Sequence, residues 1–349
     1  MTLELRFSVD DAVTGLDQLR GLKVAVVGET IIDEYVYTDA IGKSGKEPML
    51  VCRHVSQEAQ GGGVVAIANH LSEFCESVEL VSALGAVDTR EEFVRSTLSA
   101  RVQAQFIYKE ASPTIVKRRY LDAYSLAKLM GVYHYNPAAL TGEDQTAFSG
   151  LLAPALERAD VVIVADYGHG LLTPALVDQL GKNSAFLAIN TQMNAANQGY
   201  HTLSKYRRFD YACCHEGELR LDARDLHGDL LDLTRQALTR SAARAITVTR
   251  GKMGSLILHR EHGPFETPAL ATRVLERVGA GDAVLALTSL GVAAELHPQL
   301  VGLFGSLAGA QQVSVMGNSQ HISKARLVEQ LREHLPATAA RRRLRAARG

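Results

Sequence analysis

The sequence predicts an α/β protein with a mostly parallel central sheet and helices on both faces, and three observations carry that reading. Lys23-Val24-Ala25-Val26-Val27-Gly28 is a near-continuous apolar strand, as a strand covered on both faces must be. Strand-like and helix-like stretches then alternate in βαβ order. Four of the strands run out into polar or glycine-rich residues, and ligands of such sheets gather at the carboxyl ends of their strands.

Taken in order, the first strand leaves through Gly28-Glu29-Thr30-Ile31-Ile32-Asp33, and a helix is expected around Ala66 to Leu71. A strand follows at Leu80 to Gly85, and Asp88, with Glu91 three residues on, is expected to open another helix. Further strands are expected at Val161–Ala165, Phe186–Asn190 and Ala245–Thr249. The first leaves through Asp166-Tyr167-Gly168-His169-Gly170, the second through Thr191-Gln192-Met193-Asn194, and the third through Arg250-Gly251-Lys252-Met253-Gly254. Two stretches, about 34–54 and 104–135, alternate β-branched and aromatic residues with polar ones and are expected to form a small antiparallel sheet, a lid or a dimer surface. One core domain over 1–335 carries that excursion, and the basic tail of 336–349 is expected to be a frayed, solvated terminus.

A chain of 349 residues with 46% hydrophobic residues buries a large core, and a net charge of -1 from 37 basic and 38 acidic residues gives no field for nucleic acid or membrane. No run of 18 apolar residues occurs, and the start lacks the basic segment and apolar core of a signal peptide, which predicts a cytoplasmic protein. Cys213-Cys214-His215 has no second ligand pair, so buried thiols at a strand end are expected there rather than a metal. Gly42-Lys43-Ser44 is not a P-loop, because the first glycine of that motif falls on Tyr37. Gly61, Gly63 and Ala66 fit a loose dinucleotide fingerprint without the apolar strand that should precede it. Gly61-Gly62-Gly63 is instead expected to let a small substrate approach a helix start.

Val278-Gly279-Ala280-Gly281-Asp282 runs directly into the apolar stretch Ala283 to Leu287, a glycine turn feeding a buried helix. Bare glycines at a helix N-terminus let amides converge on a phosphate, helped by the helix dipole. Asp282 is then placed to take a proton from an attacking alcohol, although the same residue type suits a helix N-cap.

The order of these motifs resembles the ribokinase-like, or PfkB-type, carbohydrate kinases from about Leu22 to Leu331. It is most similar to their D-glycero-D-manno-heptose-7-phosphate kinase branch, on Asp166 to Gly170, Asn190 to Asn194 and Pro113 to Arg119. The resemblance implies an ATP-dependent kinase with Mg2+ bridging the nucleotide phosphates. It implies Asp282 as the base and the amides of Gly279, Ala280 and Gly281 as an anion hole. Asp33 would hold sugar hydroxyls, with Gly61, Gly62, Gly63 and Asp166 also on the substrate side. Asn190, Thr249, Gly251 and Gly254 would border the nucleotide, and Glu218 would support the metal through water. Lys117 and Arg119 share one strand face, suited to a substrate phosphate or to a solvated edge.

The departures bear on the same site. Glu276-Arg277 replaces the usual Asp-Thr before the glycine block, and His215 replaces the Asn of Asn-x-x-Glu. Gln192 stands where heptose kinases often carry lysine, and Val65 replaces a sugar-contacting Asn. They leave open a catalytically weak sugar- or nucleotide-binding protein, and a nucleoside kinase is a further alternative. His169 reads as a packed or solvated loop residue, and Tyr133, His134 and Tyr135 as lid-strand alternation rather than a nucleic-acid platform. Met49, Leu50 and Val51 on the lid favour a homodimer. No nucleotidyltransferase segment is expected after the kinase-like region.

Overall fold

In strand β1 (Lys23–Gly28) every residue after Lys23 is buried, and successive side chains feed opposite layers of the core. Val24 and Val26 pack into one apolar cluster, while Ala25 and Val27 pack into the other. Full burial of each such valine is worth on the order of 1.5–3 kcal/mol, which is why the apolar run settles mid-sheet. The computed structural model describes residues 7–182, 185–195 and 197–335, so the basic tail lies outside the described residues.

Strands β2 (Thr30–Lys43) and β3 (Leu50–Gly63) are followed by β4 (Ser77–Gly85), β5 (Val102–Lys109), β6 (Ile115–Asp122) and β7 (Lys128–His134). Then come β8 (Val161–Asp166), β9 (Phe186–Thr191), β10 (Tyr211–His215), β11 (Ala245–Thr249), β12 (Ser255–His259) and β13 (Gly263–Thr267). The large sheet has the order β13-β12-β11-β10-β9-β8-β1-β4-β5, parallel from β11 to β5 and antiparallel at β12 and β13. Cys213 and Cys214 are buried in β10 as expected, with free thiols.

Four strands form the separate lid sheet, in the order β3-β2-β6-β7. Three expectations are corrected here. Residues 104–109 belong to β5, the edge of the large sheet, and not to the lid. The lid is not wholly antiparallel, since β2 and β6 run parallel. It also reaches further than 34–54, because β2 starts at Thr30 and β3 continues through Gly63 into helix α2 (Val64–Leu71). The long hairpin gains ladder hydrogen bonds along its whole length, a cooperative benefit that a local pattern count does not register. Asp88 does not open a helix: it bridges Pro113, and the next helix is Glu91–Thr97 with Arg90 at its N-cap. Among the described residues no helix is long and apolar enough to cross a membrane.

Candidate active site

Ala280–Ala293 is apolar on almost every side and is buried against Pro298–Val313, so packing fixes where it begins. Its N-cap is Gly279, with φ +81 in the left-handed region that favours glycine. A Cβ there would collide with Oδ1 of Asn318 and come within 2.9 Å of Nε2 of Gln312. Gly281 in the first turn differs, because a Cβ at this position meets nothing within 4 Å. Open space thus borders the helix start at Gly281, and the Ala280 N–H makes only a long hydrogen bond, 3.4 Å to the Arg277 carbonyl, that an incoming anion would displace.

Asp282 makes no capping hydrogen bond, which removes the N-cap reading. The Tyr167 hydroxyl donates to its Oδ1 at 2.7 Å, leaving Oδ2 for another partner. Desolvation pushes its carboxyl up to about 7, with the Asp33 charge adding to the rise and the Tyr167 hydrogen bond and Lys117 charge opposing it.

The lid faces this helix start with an ordered row. Gln60 of β3, Asp33 of β2, Lys117 of β6 and Tyr133 of β7 are register partners across four strands. Arg119 donates to Oδ1 of Asp33 at 2.6 Å and lies over the Tyr35 ring, while Asn318 donates to Oδ2 at 3.2 Å. Lys117 is buried, 5.5 Å from the Tyr167 ring centre and 5.6 Å from that of Tyr133, with no carboxylate in ion-pair range among the described residues. Burial lowers its pKa and the Asp33 charge raises it. Of the predicted pair, Lys117 is the available cation, because Arg119 is engaged by Asp33.

The glycine triplet has a different task from the one expected. A Cβ on Gly62 would strike the Asp33 carboxylate, and one on Gly61 would come within 2.5 Å of Val65. Gly63 ends β3 and caps the helix that follows. The triplet makes room for Asp33 and for core packing rather than for direct approach of a substrate. Val65 is fully buried in that core.

On the opposite flank, Gly251 has φ +57 and open space at its Cβ position, and Thr249 and Asn190 lie half-buried at strand ends. Gly254 does not border the nucleotide side in this way, because a Cβ there would collide with the backbone of Thr267. His215 replaces the expected Asn without loss of the cap: its Nδ1 accepts from Gly217 N–H at 3.0 Å. Glu218 completes that capping box, accepting from His215 N–H at 2.7 Å and Met193 N–H at 2.9 Å, and burial raises its pKa. Both its oxygens already hold amides, so any metal contact uses the remaining lone pairs.

Among the described residues no three His, Cys, Asp or Glu side chains are grouped to hold a metal ion. Mg2+ needs no such cage, because it takes one or two carboxylates together with nucleotide phosphates. Open space at Gly251 and Gly281, near Glu218 and Asp282, fits a metal carried in by a polyphosphate.

Asp166 is the clearest misplacement. Its carboxylate is fully buried, accepting from Lys205 at 2.6 Å and the Tyr206 hydroxyl at 2.7 Å, and it holds a strand exit together instead of facing substrate. Alternation carried the signal, since adjacent residues at a strand end point to opposite faces and Tyr167 takes the other one. Also missed was Glu276, which is buried and accepts from Lys128 of the lid at 2.7 Å, Arg277 N–H at 2.6 Å and Val278 N–H at 3.2 Å. The bulky Arg277 side chain itself is exposed.

Residues 22–325 match the family described as pfkB family carbohydrate kinase. The chain is 29% identical over 302 residues to the bifunctional protein HldE of Koribacter versatilis, covering 85% of this chain and 60% of that protein. It is 27% identical over 304 residues to the bifunctional protein HldE of Stutzerimonas stutzeri, covering 82% and 59%. It therefore spans about 60% of the length of these relatives. Escherichia coli phosphofructokinase-2 in complex with potassium superposes with a TM-score of 0.71 at 17% identity, over 89% of this chain and 99% of that one. Arabidopsis thaliana ribokinase complexed with ribose and ATP gives 0.65 at 14% identity, again over 89% and 99%. At such identities the likeness establishes a ribokinase-like fold.

Proposed function

The chain belongs to the pfkB family of carbohydrate kinases, and from that premise we propose that it transfers the γ-phosphoryl group of ATP to a hydroxyl of a sugar or sugar phosphate. One observation carries the reading: the Asp282 carboxylate stands beside the amides of Gly279–Gly281, across from Asp33 and Lys117 of the lid. The acceptor hydroxyl gives its proton to the free Oδ2 of Asp282 while its oxygen bonds to the terminal phosphorus and the bond to ADP breaks. Helix-start amides hold the charge on the transferred group, and Lys117 adds a buried positive charge. Asp33, fixed by Arg119 and Asn318, accepts hydrogen bonds from the acceptor's other hydroxyls. Glu218 is the carboxylate on that flank that would support Mg2+ brought in with the nucleotide, and the ion would supply neutralisation of phosphate charge. Cytoplasmic ATP makes the cytoplasm the site of action we assign.

A heptose, free or phosphorylated, is the first candidate acceptor, because the relatives named above are the ones whose sequence the chain follows over four-fifths of its length. The test is ADP release with a panel of heptoses, hexoses, pentoses, their phosphates and nucleosides. Stimulated turnover with one sugar class is expected. ATP binding by calorimetry with no stimulated turnover would replace this reading with that of a weak binding protein.

The partner we assign to the lid's outer surface is a second copy. Ile41, Met49, Leu50, Val55 and Met130 are each about half exposed or more, an apolar display on one small sheet. Light scattering is expected to give twice the chain mass, and a monomer mass at micromolar concentration would remove the assignment.

A further inference from the structure

Two buried titratable groups take no part in the chemistry above, and one cavity holds both. Its free volume for water-sized groups is about 30 Å³, and Glu29, Lys109, Ser112, Thr114, Asn136 and His169 supply its polar lining. One water needs roughly 10–15 Å³ on this measure, so the space takes a group of two or three heavy atoms.

His169 is 2% exposed, and neither Nδ1 nor Nε2 has a hydrogen-bond partner. A buried polar group without a partner costs about 1–3 kcal/mol, so an imidazole with both nitrogens empty marks a place where something binds. Tyr135 holds the ring at 4.9 Å between centres, and the backbone N–H groups of Tyr167 and His169 donate to Glu29 at 2.9 and 3.0 Å. The same turn therefore sends Tyr167 to Asp282 and His169 into the cavity. Lys117 couples the two sides by charge: its ammonium is over the Tyr167 ring, and it acts on His169 and interacts with both Glu29 and Asp282.

The geometry points to this cavity as the subsite for the neutral, hydroxyl-bearing end of the acceptor sugar, read by His169. The inference rests on the kinase reading above and narrows its acceptor class. A neutral imidazole offers one donor and one acceptor, the complement of a hydroxyl, whereas a phosphate dianion offers acceptors only. Burial, with the charge of Lys117, holds the imidazole down to about 3, so it does not become a second donor. Lys109 has two of its three N–H donors taken by the carbonyls of Asn136 at 2.9 Å and Ala138 at 2.5 Å, which leaves one for a hydroxyl oxygen. Glu29 brings a carboxylate, raised to about 7 by desolvation and by Asp166, that a hydroxyl satisfies and a phosphate confronts.

The test uses full-length protein with isotope-labelled histidine, identifying the His169 ring signals by their loss in His169→Phe. The probes are D-mannose, mannose 6-phosphate, D-glycero-D-manno-heptose and its 7-phosphate, with and without ATP. Free sugars are expected to shift the His169 signals. In the coupled assay, His169→Phe raises KM for the free sugar about ten-fold, the loss of one or two hydrogen bonds, with a smaller change in kcat. His169→Asn, which keeps a donor and an acceptor, restores most of the difference. The proposal is overturned if only the phosphates shift the signals, if phosphate-terminated acceptors are preferred with or without His169, or if no sugar shifts them. A shift with free sugar but no ADP release would keep the subsite and remove the kinase reading. Should His169→Phe fail to fold, the order in which the unmodified protein's histidine spectra respond to the four sugars still decides.

Discussion

Asp282→Asn is expected to lower kcat/KM for the acceptor by about 10²- to 10⁴-fold, the range a positioned general base contributes. Asparagine keeps the size of the side chain and can still accept the Tyr167 hydrogen bond, but it cannot take the acceptor's proton. The parent enzyme should show kcat/KM rising about ten-fold per pH unit until roughly pH 7 and levelling above it, because the base must be ionised and burial has pushed its pKa to about 7. The variant's residual rate should lack that limb. Stability moves the other way. A carboxyl whose folded pKa lies above its ordinary value of 3.8 favours the native state fully only below that value, and the contribution is lost as pH rises through about 7. A neutral asparagine has no such loss, so urea denaturation at pH 8 should find the variant at least as stable as the parent. Activity within about ten-fold of the parent, or an unchanged pH limb, would take the base role away from Asp282.

Gly281→Leu is expected to cost about 10²- to 10³-fold in kcat/KM for ATP, the size of effect seen when anion-hole donors are lost. The reasoning separates chemistry from folding. Open space at the Cβ position gives a new side chain nothing to strike in the protein itself, and glycine within a helix is worse than leucine by somewhat under about 1 kcal/mol. Thermal melting should therefore show no loss of stability, while the leucine side chain occupies the approach to the amides. Gly279→Leu supplies the contrast. At φ +81 and against Asn318 it should lose stability and activity together. A fully active Gly281→Leu would show that the phosphoryl group does not come to this helix start.

The large sheet was legible because its signal is local and redundant. A strand covered on both faces must be apolar throughout, and β1, β8 and β11 read that way before any contact is known. The glycine block before Asp282 was legible for the same reason, since a helix start that must accept an anion tolerates few residues within one turn. The lid was less legible. β3 is exposed over half of its length, so no burial pattern bounds it, and β5 reads like a lid strand although it hydrogen-bonds to β4.

Which predicted site residues share the cleft was set by strand pairing and by the far ends of side chains. Asp33 and Lys117 lie 84 positions apart and became neighbours only through the parallel β2–β6 register. Asp166 and Tyr167 are adjacent, yet one anchors Lys205 and Tyr206 while the other holds the Asp282 carboxylate. Glu276, buried, and Lys128, exposed, are separated by 148 positions and form a contact between the lid and the segment before the Gly279 helix start that no spacing rule encodes. The amino-acid order by itself determined the layered α/β fold and the family motifs, and placed Asp282 in the first turn of a buried helix, because each depends on periodicity or on a few consecutive positions. Only the tertiary structure decided that Asp166 is buried against Lys205 and Tyr206, that Gly61 and Gly254 are closed in by Val65 and Thr267, that Lys117 has no carboxylate in ion-pair range among the described residues, and that His169 faces a cavity with both nitrogens unpartnered. Those outcomes depend on which groups distant in sequence the fold brings side by side, and no local pattern carries that information.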